Sequence, residues 1–262
     1  MTVLSFIACR MFEDEIVHII ENDPDIRKII VVDNEDRGGL TGKLDAVGCT
    51  YDLLPLFSIP PKSENGREGG MTLIIYMLEL ALHARPDNLR KVVYDNTEQL
   101  SRYADGILLF YGLCGNVLGK VEEDFRSNSC TVRILKEENG NVVDDCIGAV
   151  LGGRAAYLRK LTGSGGVGTF FMTPMWAAHW REMVVAAGMT SDPNDIKMSK
   201  FVFDYAGYKN VARMDTGLYY EKDFDAMVEE FARIFDFNII EMSASPALIE
   251  NCYRKLCADV MG

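Results

Sequence analysis

The chain has 262 residues and a formal net charge of -12, from 27 Lys and Arg against 39 Asp and Glu. Nucleic-acid binding relies on clustered basic residues that displace counterions from phosphates, and no such cluster occurs; no uninterrupted apolar run approaches the roughly 20 residues of a membrane span. Seven cysteines, an odd number, suit reduced thiols in a cytoplasmic setting better than a disulfide framework.

The opening MTVLSFIACRMFEDE has no basic leader and reads as a buried strand (residues 3–8) entering a helix rather than as a signal peptide. Phe12, Ile16, Ile19 and Ile20 recur at helical spacing. Strands are predicted over residues 28–32 and 52–57, followed by a polar loop at 58–70. The run at 71–82 is long and apolar enough to predict a helix, and Pro86 opens another that reaches about Tyr103. Residues 105–111 form the clearest strand, because Ile107, Leu108, Leu109 and Phe110 in succession imply burial on both faces. A helix is expected after Cys114, a strand at 131–135, a turn at 137–141, and a helix from Cys146 to about Leu161. A Gly-rich turn then leads to a strand at 169–172 and a helix opened by Pro174 and Trp176. Strands at 209–214 and 237–242 flank an amphipathic helix at 224–235, and a helix at 247–257 closes the chain. Alternating strands and helices predict an α/β fold: a parallel-rich sheet with helices on both faces. It forms one domain over 1–262, or two packed Rossmann-like lobes dividing near 125–165.

Three segments offer chemistry: Ile7-Ala8-Cys9-Arg10, Tyr111-Gly112-Leu113-Cys114-Gly115-Asn116 and Asp144-Asp145-Cys146-Ile147. Functional groups gather at the carboxyl ends of strands in open α/β sheets, so the three cysteines are expected to share one crevice. A helix N-terminus favours thiolate, and Gly115 lets a ligand approach closely. Three thiolates with a fourth ligand suit tetrahedral zinc, and thiolates also hold iron–sulfur clusters. His83 is the candidate fourth ligand or a general base, set against a capping role at a helix junction. His18 and His179 are explained by packing. Gly163 to Gly168 precedes a strand, unlike a phosphate-binding loop, and reads as a turn. Gly152 and Gly153 fall inside the predicted helix, which implies close packing or a nearby ligand. Arg154 there can pair with an anion or a carboxylate. The Phe170-Phe171-Met172-Thr173-Pro174-Met175-Trp176 run is core packing or a flat wall for a planar ligand. Asp215 and Thr216, at the end of a strand, can orient a ligand or cap a turn.

YGLCGN after an apolar strand, DDCI followed by LGGRAAYL, GTFFMTPMW and MDTG together resemble a domain-of-unknown-function family of methanogenic archaea and anaerobic bacteria. The resemblance is clearest over residues 82–176 and continues to about 242, and residues 34–70 fit it less well. It singles out His83, Arg85, Pro86, Cys114, Gly115, Asn116, Asp145, Cys146, Arg154, Thr173, Pro174, Trp176, Asp215, Thr216 and Gly217. The family's first cysteine is often followed by glycine, whereas Cys9 here is followed by Arg10, which adds a positive charge beside the thiol. Family members are associated with corrinoid-dependent methylamine methyl transfer. The implied function is a metal- or iron–sulfur-binding accessory protein. Its partner is a methyltransferase or corrinoid protein, corrinoid comes only through that partner, and self-association is left open. Two alternatives stand beside it: a small-molecule enzyme with a cysteine thiolate, with Arg154 holding an anionic group, and a non-catalytic module that docks on a methyltransferase.

Overall fold

The computed structural model describes residues 2–62, 70–80, 82–163 and 166–262. Its centre is an entirely parallel six-stranded sheet in the order β3-β2-β4-β1-β5-β6. The strands are β1 (Thr2–Cys9), β2 (Ile26–Val32), β3 (Asp52–Leu54), β4 (Met71–Leu78), β5 (Gly106–Phe110) and β6 (Thr131–Ile134). β1 and β5 are apolar almost throughout because both of their faces are covered. Helices α1 (Glu13–Asn22), α2 (Gly38–Ala46), α3 (Pro86–Leu100) and the terminal α10 (Ala247–Met261) flank this sheet. Phe6 of β1 packs on Phe110 of β5 at 4.7 Å between ring centroids and on Tyr253 of α10 at 5.7 Å, so the end of the chain closes the core made by its beginning.

A second parallel sheet, β7-β8-β9, is built from Gly168–Met172, Tyr208–Asp215 and Asn238–Ser243. Helices α7 (Pro174–Ala186), α8 (Ile196–Tyr205) and α9 (Phe224–Phe235) accompany it. Its core is aromatic: Phe231 stacks on Phe170 at 5.1 Å and meets Trp180 edge-on at 5.2 Å. Phe171, Met175, Met214 and Met242 of this smaller unit belong to the large sheet's apolar cluster, so the two units share buried surface.

Several expectations need correction. Residues 71–78 are the central strand β4, paired with both β1 and β2, and not a helix. A short apolar run fits either element, and burial between two strands decides it. No helix follows Cys114 directly. Cys114, Gly115 and Asn116 have φ of 42°, 80° and 64°, a left-handed succession that an α-helix excludes, and only the short α4 (Val121–Asp124) forms later. The helix expected from Cys146 to Leu161 is two helices, α5 (Cys146–Val150) and α6 (Arg154–Thr162). Gly152 and Gly153, at φ 82° and 106°, break it between them. A Cβ on Gly153 would lie 2.6 Å from the Glu137 carboxyl carbon, so any substitution there displaces that side chain besides straining the backbone. The third strand stops at Leu54 and gives way to a 3₁₀ turn at Leu56–Ser58. Helices α2 and α8 have no counterpart in the sequence reading. The polar loop at 58–70 lies largely outside the described residues, as do Ser164 and Gly165 of the Gly-rich turn. No helix among the described residues is long and apolar enough to cross a membrane.

Candidate functional site

Chain order reverses at β1: the chain first builds β2 and β3 to one side, then β5 and β6 to the other. Such a reversal leaves a crevice beyond the strands' carboxyl ends. Cys9 is the last residue of β1, and the parallel pairing aligns it with Leu78 of β4, five residues before His83. Ala8 pairs with Phe110, which sets Tyr111 beside Cys9. The loop after β5 is then clamped to the segment before Cys146. Leu113 N–H donates to the Val143 carbonyl at 2.8 Å, and Cys114 N–H donates to the Asp144 carbonyl at 3.2 Å. Gly112 permits this approach, since a Cβ there would stand 2.4 Å from the Val143 oxygen. Asp145 caps α5 by accepting the Gly148 N–H at 2.7 Å, which places Cys146 at the first position of that helix.

Through these local steps Cys9, Cys114 and Cys146 all line one cavity of about 440 Å³, with His83, Gly115, Asp145 and Trp176. The far wall comes from the small sheet and its helices, so the cavity lies between the two units. Five other predicted residues stand elsewhere. Arg154 is exposed and outside the cavity's lining, its guanidinium 3.6 Å from Asp144. Thr173 caps α7 by accepting the Trp176 N–H at 3.3 Å. Asp215 and Thr216 line a separate groove and accept the N–H groups of Gly217 and Leu218. Asn116 holds a left-handed turn and is not among the cavity's lining residues. The sequence reading overlooked Tyr111, Tyr157, Thr169 and Tyr208 as site residues, although all four line the cavity. Tyr111 stands inside the YGLCGN motif and was legible there; the others come from elements whose faces only packing reveals.

Among the described residues, no Lys or Arg lines the cavity. Burial pushes the Cys9 thiol up to about 12 and the Cys114 thiol up to about 11, outweighing nearby backbone N–H groups that act in the other direction. Burial, then the Asp145 carboxylate, holds the Cys146 thiol well above its ordinary range. The expectation of helix-stabilised thiolates is therefore corrected: desolvation outweighs the dipole of the five-residue α5, and Cys114 has no helix after it. The thiols also disfavour one another's ionisation. Burial lowers the His83 pKa against the pull of Asp145, so the imidazole is neutral at pH 7 and has a free nitrogen lone pair to offer. Among the described residues, no three or more His, Cys, Asp or Glu side chains already stand at metal-binding spacing. The thiols share a cavity but are not drawn together around a point.

Tyr111 Oη, Thr169 Oγ1 and Trp176 Nε1 are buried without a hydrogen-bond partner of good geometry. The Trp176 N–H faces the Cys146 sulfur and favours its thiolate. The remaining cysteines lie apart from this cavity. Cys252, for example, accepts from Lys136 N–H and donates to Lys136 O, each at 3.3 Å. All seven cysteines are free. His18 is not simply packed: it bonds Glu250 of α10 at 2.7 Å, while His179 lies 3.2 Å from the Arg10 guanidinium.

No curated protein and no solved structure matches the chain. Residues 77–253 match the family model described as a protein of unknown function, DUF1638. That segment covers more than half of the chain and contains His83, Cys114 and Cys146, and the chain belongs to the DUF1638 family.

Proposed function

We propose that the cavity is a cysteine-ligated metal or iron–sulfur centre, with Cys9, Cys114 and Cys146 as thiolate ligands and His83 as the fourth. One observation carries this reading: three thiols more than thirty residues apart in sequence are brought to one cavity, with no Lys or Arg lining it among the described residues. Neutral buried thiols are poor nucleophiles, which counts against the thiolate-enzyme alternative. A bound cation changes the balance, because coordination deprotonates a thiol outright. Cysteine side chains re-aim by rotating between staggered χ1 wells, so Cys9, Cys114 and Cys146 would hold a metal by turning their sulfurs toward it. Three thiolates and an imidazole suit zinc, and three thiolates also suit a cluster.

Anaerobic purification followed by metal analysis and a visible spectrum is the direct test. The expected result is stoichiometric zinc with no visible band, or iron and sulfide with one, lost in each Cys→Ser variant. Absence of stoichiometric metal, with Cys→Ser variants unchanged in metal uptake and stability, would overturn the proposal. In this reading the protein is an accessory of corrinoid-dependent methyl transfer, supported by the resemblance of the YGLCGN, DC and MDTG motifs. Co-elution with a corrinoid methyl-transfer protein is then expected, and separate elution would remove that partner from the proposal.

A further inference from the structure

The cavity is lined by more than its thiols. Thr169 and Phe170 of β7, Trp176 of α7, Tyr208 of β8 and Tyr157 of α6 line it as well. Phe170 and Trp176 meet edge to face, with centroids 5.5 Å apart, and hold one another in place. The Trp176 N–H is directed at the Cys146 sulfur, but two other buried polar atoms of the lining, Tyr111 Oη and Thr169 Oγ1, have no hydrogen-bond partner among the described residues. Leaving a buried polar group unsatisfied costs about 1–3 kcal/mol, and a purely structural wall has no reason to gather two in one cavity. Both hydroxyls can donate.

Charge narrows the ligand further. The cavity has carboxylates at Asp144 and Asp145 and no cation among its lining residues, so an anion is disfavoured. Its volume of about 440 Å³ falls in the range of small-molecule sites and exceeds what one metal ion would fill. We infer that the aromatic lining binds an uncharged, planar heteroaromatic molecule of two or three rings, whose carbonyl or ring-nitrogen acceptors take the hydroxyl donors of Tyr111 and Thr169. The ring faces lie against Phe170 and Tyr208, where offset or edge contacts between π-systems are favourable. The inference rests on the cavity and its donors and does not require the metal centre.

The test uses full-length, chelator-treated protein at pH 7 with two neutral probes, quinazolin-4-one followed by ligand-observed NMR and lumichrome followed by fluorescence polarisation. Flavin mononucleotide supplies a comparable ring system bearing a phosphate. Saturable binding of a neutral probe is expected, with Tyr111→Phe and Thr169→Val each weakening it about 5- to 30-fold and flavin mononucleotide binding far more weakly. Neither substitution changes the shape of the wall, so a loss reports the missing donor. The inference is overturned if neither probe binds saturably, if both variants bind like the wild type, or if flavin mononucleotide binds equally well. A neutral probe that binds a protein incapable of holding metal leaves this inference standing while the metal reading falls; the opposite pattern reverses the two.

Discussion

Asp145 is the residue on which the thiol side of the cavity depends most directly. Its side chain satisfies the Gly148 N–H at the start of α5 and thereby sets the position of Cys146. Replacing it with Ala removes the cap, which costs about 0.5–2 kcal/mol. The urea midpoint of Asp145→Ala is therefore expected to fall, and its metal content to fall with it. An unchanged midpoint would show that the cap is not holding Cys146. Cys9 and Cys114 were legible in the sequence because each follows an apolar strand run, and Cys146 because it opens a predicted helix. The state of their thiols was not legible, because desolvation depends on what covers them: Phe170 and Tyr208 of the cavity belong to a unit far along the chain. Arg10 shows the same limit. Next to Cys9 in sequence, its guanidinium turns to Glu13 and His179, at 3.3 and 3.2 Å.

At the scale of elements, local pattern identified those with a clear period or a clear punctuation mark. Helix α9 has the bounds the amphipathic spacing predicts, and Thr173-Pro174 opens α7 with a side-chain cap and proline in the first turn. β4 was misread because Met71 to Leu78 is apolar at nearly every position, which removes any period to distinguish strand from helix. The glycines between α5 and α6 were recognised as costly in a helix, but their conformation was not. Gly153 combines φ 106° with close contact to Glu137, whereas Gly152 at φ 82° faces open space. Gly153→Ala is thus expected to destabilise by about 1–3 kcal/mol and clearly more than Gly152→Ala, as compared by urea midpoints. Equal losses would mean that backbone conformation alone, and not the Glu137 contact, sets the cost.

At the scale of the molecule, the two units meet through charge as well as apolar surface. Glu13, Asp14 and Glu15 open α1 yet are all buried. Lys43 of α2 lies 2.5 Å from Asp14 and 3.6 Å from Glu221, which follows β8, so one ammonium spans the joint. Burial alone would lower its pKa, but Asp14 and Glu13 outweigh that and keep it charged. Glu15 is treated differently: burial, then the Asp14 charge, pushes its carboxyl up to about 8, with Lys43 and a backbone N–H only partly opposing. The folded state therefore holds a proton that the unfolded chain releases near its ordinary value of 4.5. This contribution to stability is full below that value and is lost as pH rises towards about 8. Glu15→Gln is expected to flatten the decline and to be more stable than wild type above pH 8. Parallel urea-midpoint profiles for the two proteins between pH 5 and 8.5 would refute the assignment.

The sequence by itself determined the α/β class, most strands, the buried character of β1 and β5, and the placing of three cysteines at or near strand ends. Those features are local, since periodicity, burial on two faces and turn residues act over a few positions. Only the tertiary structure decided that the strands divide between two parallel sheets, that β4 lies between β1 and β2, and that the thiols face an aromatic wall from the second unit. Strand order, desolvation and unsatisfied donors are set by contacts between segments far apart in the chain, and no local pattern records them.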